Sequence, residues 1–429
     1  MKEEFLHYIW RTLQFETQNL IANSGEPIQI VKAGQYNTHS GADFLNAHII
    51  IDDTLWIGNV EMHLKSSDWY AHQHQQDRAY DNVILHVVWE DDAIITQSGR
   101  KITCLSIDRY VDNKILEKFE SLNFFKHNFI PCESFWKDKT PPFLNLWMES
   151  WLIERLMRKV NDLLIKADQN KYHWEEVLYT QLATALGTTL NAVPMRNLLD
   201  ITPYTLLLKY ANNKLQLEAL LLGQAGFLQD ELNDQHQYSK SLQNEYDFLR
   251  NKHKLQPMNV ASWKFFRTRP ASFPTIRIVQ LASILHNHPN LMSVVVEKVD
   301  DLKYLTSVFN TNLDEFWLEY LSPTKKRKTK ASQISLGKAT IHSMIINAIA
   351  PTLYAYAKHI SDEHLEENAI KLLEALPAED NIIVRNWLHL GIKMDSAYQT
   401  QSMIQLYNNY CKQQKCMDCQ ICHFWIKKS

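Results

Sequence analysis

The sequence predicts an α+β protein, with a mixed β-sheet core in its N-terminal third and a large all-α region after it. Three observations carry this. Five of the ten glycines (25, 34, 41, 58 and 99) fall in the first 99 residues, and turn-rich β structure uses glycine where helices avoid it. Runs rich in β-branched residues, Phe44–Ile51 and Val83–Trp89, lie in the same third. From Phe143 onward the apolar residues recur at three and four, the period of a helix.

The elements follow in order. Residues 3–22 place Phe5, Ile9, Leu13, Leu20 and Ile21 close to helical spacing, and Asn23-Ser24-Gly25 ends the segment. Pro27–Val31 is a short strand. Phe44–Ile51, Asp52-Asp53 and Thr54–Ile57 read as strand, turn, strand, and the second strand runs on to Lys65. Ser66-Ser67-Asp68 is an N-cap cluster opening a short helix through Trp69 and His72. Val83–Trp89 is an apolar strand, and Asp91-Asp92 with a hairpin lead to Lys101–Ile107. The order is therefore helix, three strands, helix, strand. Residues 137–142 form the linker, because the tandem Pro141-Pro142 continues neither a helix nor a central strand. Beyond it, Trp147, Trp151, Leu152, Leu156 and Val160 share a helical face. Similar patterns cover 174–186, 204–226, 240–251, 275–287, 301–320, 338–358 and 364–376, without a fixed repeat. The expected domains are 1–136, 143–410 and a cysteine cluster at 411–423.

Composition narrows the function classes. With 429 residues the chain is long enough for two or three domains. Its 45% hydrophobic and 22% charged residues are ordinary for a soluble globular protein. A net charge of -3 supplies no global field toward nucleic acid, so such a partner must be met by local patches. No signal-peptide shape opens the chain, and the charge-free run Ala339–Ala357 is too polar for a membrane span. Six cysteines, four of them in the last nineteen residues, do not resemble a disulfide framework. The expectation is a cytoplasmic protein with no membrane partner.

One short stretch suggests chemistry. Gly41-Ala42-Asp43-Phe44 opens one strand, and Val60-Glu61-Met62-His63-Leu64-Lys65 lies on the next. Strand alternation places Glu61, His63 and Lys65 on one face. Two carboxylates bind a hard divalent cation, Mg²⁺ or Mn²⁺, and a nearby cation orients a water or a phosphate. The same alternation also describes a solvated sheet face, and Asp43 beside Gly41 also describes a turn.

With acids on the second and third strands of a helix–three strands–helix–strand order, residues 1–110 resemble the restriction-endonuclease-like superfamily, whose signature is PD-(D/E)-x-K. The resemblance implies an αβββαβ core in which Asp43 and Glu61 hold the metal, with His63 or Lys65 assisting catalysis. Two departures stand out: Ala42 replaces the proline, and His63 occupies the lysine slot, with Lys65 two residues on. Gln76-Asp77-Arg78-Ala79-Tyr80 matches a Gln-x-x-x-Tyr motif found in one branch of that superfamily.

His39, His63, His72, His74 and His86 crowd the same region. Imidazoles suit zinc, manganese or iron, and a site from His63, His86 and one of His72 and His74 is one reading. On a helix, however, positions 72 and 74 point apart. At the C-terminus, Cys411-x4-Cys416-x2-Cys419-x2-Cys422 has ligand spacing for a [4Fe–4S] cluster, with four-thiolate zinc as competitor. Cys104 and Cys132 read as core residues. Residues 248–296 hold seven Lys/Arg and no acid, and Arg267, Arg269 and Arg277 among aromatics suit phosphate and stacked bases. Lys325, Lys326, Arg327 and Lys328 form a second basic cluster, which also reads as a solvated loop.

The whole chain is also similar to an uncharacterised family of bacterial proteins, a domain of unknown function. Ser40–Phe44, Gly58–His63, Ser66–Trp69, Asn82–Val88, Gly223–Gly226, Arg267–Arg277 and the cysteine tail carry that resemblance. The expectation is a metal-dependent nuclease or nuclease-like nucleic-acid-binding protein. The alternatives are a non-enzymatic helical scaffold with a structural metal clip at its C-terminus, and a histidine-ligated hydrolase in which His63 and His86 converge.

Overall fold

The computed structural model describes residues 2–37, 40–122, 129–136, 140–228, 236–266, 268–311 and 313–427. His39, Arg267 and linker residues 137–139 lie outside the described residues. The fold is α+β, and the chain divides into two compact units: residues 1–144 with 406–429, and residues 145–405. The cysteine tail thus belongs to the same unit as the sheet.

The first unit opens with α1 (Glu3–Thr12), whose apolar face buries Phe5, Leu6, Tyr8, Ile9 and Trp10. It is shorter than its periodicity suggests, because Leu13 takes a left-handed conformation, φ 49°, and caps the helix. Leu20–Ile21 is instead a short strand, β1, followed by β2 (Pro27–Lys32), β3 (Gln35–Tyr36), β4 (Phe44–Ile51) and β5 (Thr54–Lys65). After α2 (Asp68–Ala71) comes β6 (Val83–Glu90), a small ribbon of β7 (Thr96–Gln97) and β8 (Arg100–Lys101), and then β9 (Thr103–Ser106) and α3 (Asn113–Glu120). The main sheet runs β1-β2-β4-β5-β6-β9, with β3 also on β4. Pairs up to β4/β5 are antiparallel, whereas β5/β6 and β6/β9 are parallel.

This change of direction positions the site. Parallel strands are covered on both faces, and β6 is buried from Val83 to Val88. Its entry beside β5 is tight: a Cβ on Gly58 would stand 2.5 Å from Ile84 Cγ2 and 2.6 Å from the Asn82 carbonyl. On the other side of β5, the β4/β5 register shifts between Phe44 and Ala47, where Asn46 has φ 54°. Serines 66 and 67 do not cap α2. Ser66 Oγ and the Ser67 N–H and hydroxyl bond Asp92 instead, while Asp68 accepts from the Lys65 N–H.

The tail packs within this unit. Arg11 pairs with Asp418 at 2.9 Å and donates to the Met417 carbonyl, Lys118 reaches the Ile426 carbonyl, and Phe129 stacks on Tyr407.

The second unit is helical around one large core. Trp174–Leu186 is one helix as its pattern predicts, whereas 204–226 divides into Tyr204–Lys209 and Lys214–Gln224 where Asn213 caps the second. Residues 338–358 are interrupted by a π-helical turn, Ile345–Ile349. No helix among the described residues is long and apolar enough to cross a membrane.

Gly58→Ala should lower the unfolding free energy by about 1–3 kcal/mol through overpacking at the β5/β6 entry. Urea denaturation followed by fluorescence measures this; an unchanged midpoint would contradict the close approach.

Candidate metal centre

The parallel register sets Glu61 on β5 level with His86 on β6, with His63 two residues further along β5. All three side chains are buried, at 5%, 0% and 1% exposure. His63 Nδ1 lies 2.8 Å from His86 Nε2, so one proton is shared along that contact. The other ring nitrogen, His63 Nε2, faces His72 Nδ1 at 3.1 Å and Glu61 Oε1 at 3.7 Å.

His72 and His74 converge on this point because the chain leaves the helix between them. Gln73 has φ 63°, so His74 starts a new 3-10 turn and swings back. The helical expectation that the two point apart is thereby overturned. His74 Nε2 sits 3.2 Å from Glu61 Oε1, and its ring stacks on Tyr80 with centroids 3.9 Å apart. The residue is half-buried, but its Nε2 atom is inaccessible and has no hydrogen-bond partner among the described residues. One ligand nitrogen each from His63, His72 and His74 lies within 4.8 Å of the others.

Asp43 is held at the start of β4 by a turn in which Gly41 takes φ +97° and the Asn37 N–H donates to the Asp43 carbonyl. Its N–H donates to Glu61 Oε2 at 3.1 Å, and its Oδ2 accepts from the Met62 N–H at 3.0 Å. The two predicted acids are thus locked together across β4 and β5. Asp43 Oδ2 also meets His7 Nε2 of α1 at 3.2 Å, and Glu3, His7 and Asp43 form a second group of ligand atoms within 4.8 Å.

Burial dominates the electrostatics. It pushes the Glu61 carboxyl up to about 9, and the charge of Asp43 adds to this. It pushes His63 down to about 2, with His86, His74 and His72 adding repulsion, and His86 down to about 3. His74 is lowered for the same reason. These imidazoles are therefore neutral near pH 7, the form that binds metals. His7 goes the other way: burial opposes its charge, but the bond to Asp43 and that carboxylate's charge prevail and raise it.

Lys65 stays outside this constellation. It shares the alternation of Glu61 and His63, but at the strand end its ammonium pairs with Glu90 at 3.1 Å and is half exposed. His7, Glu3, His72 and Tyr80 join the site unannounced by strand patterning. Tyr80, the tyrosine of the Gln-x-x-x-Tyr spacing, enters through its stack on His74.

The tail thiols gather around a residue the spacing did not include. Cys132 is buried with Cys416, Cys419 and Cys422, and Cys411 is partly buried. Cys416 and Cys422 share a thiol hydrogen bond, which lowers Cys416 and raises Cys422. Burial raises Cys132, Cys411 and Cys419, the last to about 12, and the neighbouring thiols raise all three further. A π-helical turn, Tyr407–Cys411, leads into the group.

The basic residues of the second unit are placed separately. Arg277 is buried, donating to Gln280 Oε1 and Ser272 Oγ, and burial pushes it down to about 10. Arg269 is exposed. The lysine run forms a hairpin in which Lys325–Lys326 pairs with Tyr320–Ser322. Lys326 faces Glu319 at 3.6 Å, Arg327 Nε donates to the Trp317 carbonyl, and Lys328 is exposed.

Fold and site together define an α+β protein with a buried carboxylate–imidazole cluster at the antiparallel-to-parallel switch of its sheet. Residues 3–382 match the family described as Protein of unknown function (DUF2851), and the chain belongs to that family. The tail cysteines lie beyond the matched residues. No curated protein and no solved structure matches the chain.

Asp43→Asn should lower the pKa of His7, because it removes the charge that raises it while leaving the burial that opposes it. An NMR titration of the ring in chelator-treated protein reads this; an unmoved His7 would contradict the pairing.

Proposed function

We infer that the first unit is a metal-dependent phosphodiester hydrolase, a nuclease in the broad sense. In this reading His63 Nε2, His72 Nδ1, His74 Nε2 and Glu61 Oε1 hold a transition-metal ion. The observation that carries it is the spacing of these atoms. Four ligands 2.0–2.1 Å from one tetrahedral ion stand about 3.3 Å apart, and the distances here are 3.1 Å (His63–His72), 3.2 Å (His74–Glu61) and 3.7 Å (His63–Glu61). An ion there would also satisfy the orphaned His74 Nε2. A proton on His63 Nδ1 given to His86 would fix the tautomer, as outer partners of metal-bound histidines usually do.

The nitrogen-rich donor set favours zinc, manganese or iron over magnesium. Such an ion lowers the pKa of a water and stabilises charge growing on a phosphoryl oxygen. Asp43 fixes Glu61 through its N–H, and His7, whose pKa that carboxylate raises, stands beside it as a donor for a phosphate oxygen. Lys65, bound to Glu90, has no catalytic role; Glu61 keeps the metal-holding role that the PD-(D/E)-x-K resemblance implies, whereas Asp43 positions Glu61 instead of ligating the ion. Exposed Arg269 and Lys328 remain candidates for backbone contacts to nucleic acid, while Arg277 serves the interior.

The full chain loaded with Mn²⁺ or Zn²⁺ and depleted of free metal should retain the ion at the His site. His63→Ala and His74→Ala should each weaken its binding at least about tenfold, in line with loss of a ligand-shell interaction. Cleavage of single-stranded DNA or RNA should disappear with chelator and with either variant. Unchanged metal affinity in both variants would refute the site, and metal binding without cleavage of any nucleic acid would refute the hydrolase.

For the tail we propose a second centre, a [4Fe–4S] cluster rather than zinc. Compact Cys416-x2-Cys419-x2-Cys422 spacing with a remote fourth thiol suits a cluster, and Cys132 or Cys411 is that fourth ligand. Anaerobically purified protein should carry iron and inorganic sulfide with a cluster's broad visible absorbance, lost in Cys419→Ser. Zinc without iron would overturn the assignment to a cluster.

A further inference from the structure

The second unit carries a cavity of about 970 Å³ walled by helices. The long helix Leu144–Gln169 contributes Arg158, Lys159, Asp162 and Lys166, and Thr188–Asp200 contributes Arg196. Asn347, in the π-helical turn Ile345–Ile349, closes one side. Single π turns inside helices frequently occur at functional sites.

Positive charge in this cavity exceeds what the protein neutralises. Four cations and one carboxylate, Asp162, line it. Lys166 pairs with Asp200 at 3.3 Å. Arg158 donates to a neutral acceptor, Gln405 Oε1, at 3.2 Å. Lys159 Nζ approaches Asn347 O at 3.5 Å and Oδ1 at 3.4 Å. Among the described residues Arg196 makes no hydrogen bond or ion pair. Behind the wall, Arg155 donates to the same Asn347 Oδ1 at 3.2 Å. The acid whose charge acts on both Arg155 and Lys159 is Glu379, which already accepts from Gln401 and Thr400.

The position of Lys159 follows from the helix break. Pro351 has no N–H to give the Asn347 carbonyl four residues back, and Lys159 supplies a donor there. Burial, then the charges of Arg155 and Arg158, push Lys159 down to about 7 against the pull of Glu379. An anion in the cavity would relieve that crowding. Solvated surface cations would explain Arg158 and Arg196 alone, but not Lys159 half-buried between two guanidinium groups.

We propose that this cavity binds a phosphorylated small molecule of nucleotide size. Its phosphates are held by Arg158, Lys159 and Arg196. Hydroxyls of Thr184, Thr189 and Ser343 lie in the same wall, and Leu163, Ala185 and Pro351 give an apolar floor for the rest of the ligand. Its volume lies within the range of small-molecule sites, and guanidinium forks match phosphate oxygens.

Calorimetric titration of the full chain with inorganic pyrophosphate, a nucleoside triphosphate and a single-stranded oligonucleotide tests this. The expected result is saturable binding of the first two, tighter for the nucleotide and weakened by salt. Arg196→Ala should weaken it about tenfold or more, the loss of one charged hydrogen bond, and Arg196→Lys should fall between. Because Arg196 is exposed, its loss leaves folding intact. Asp162→Asn should tighten pyrophosphate binding severalfold. The proposal is overturned if neither pyrophosphate nor nucleotide saturates the protein, if Arg158→Ala and Arg196→Ala bind like the parent, or if the oligonucleotide alone binds.

Discussion

Parallel pairing of β5 with β6 is the constraint on which the first unit depends. It covers both faces of β6 and sets Glu61 level with His86, so a carboxylate and two imidazoles enter the interior together. A lone buried charge is expensive, and such groups pair, shed their charge or coordinate a metal. All the visible adjustments go this way. Glu61 favours its proton, the imidazoles stay neutral, and the Asp43 N–H satisfies one carboxylate oxygen. The remaining oxygen and His74 Nε2 face each other at 3.2 Å without a hydrogen bond between them.

Much of this scaffold was legible in the sequence, for physical reasons. β4, β5 and β6 announce themselves by β-branched residues and by alternation, which also put Glu61 and His63 on one face. Lys65 obeys the same alternation, yet the end of a strand is solvated and Glu90 sits beside it in the register. Alternation fixes a face and leaves depth open. The early end of α1 was hidden because an ordinary residue, Leu13, takes the left-handed cap that glycine usually marks. Gln73 hid the convergence of His72 and His74 in the same way.

Spacing read the tail cysteines but missed Cys132, since sequence distance says nothing of which thiol a folded chain brings back. In the helical unit, the arginine-rich segment suggested an exposed binding face. The helix Pro274–Asn287 is instead buried from Pro274 to Leu285, and it takes Thr275, Arg277, Gln280 and Ser283 inside with its apolar residues. The excess of cations gathered elsewhere, on helices whose overall charge is unremarkable, and a π turn before Pro351 shaped the place where they meet.

On the proposed function, the imidazoles of His63, His72 and His74 form a single metal centre with Glu61. Diffraction from crystals of the full chain grown with Mn²⁺, recorded at the manganese edge, tests it most directly. An anomalous peak is expected about 2.0–2.2 Å from His63 Nε2, bounded by His72, His74 and Glu61. No such peak is expected in His63→Ala. Manganese bound elsewhere, or the four side chains unchanged and joined by hydrogen bonds alone, would contradict it.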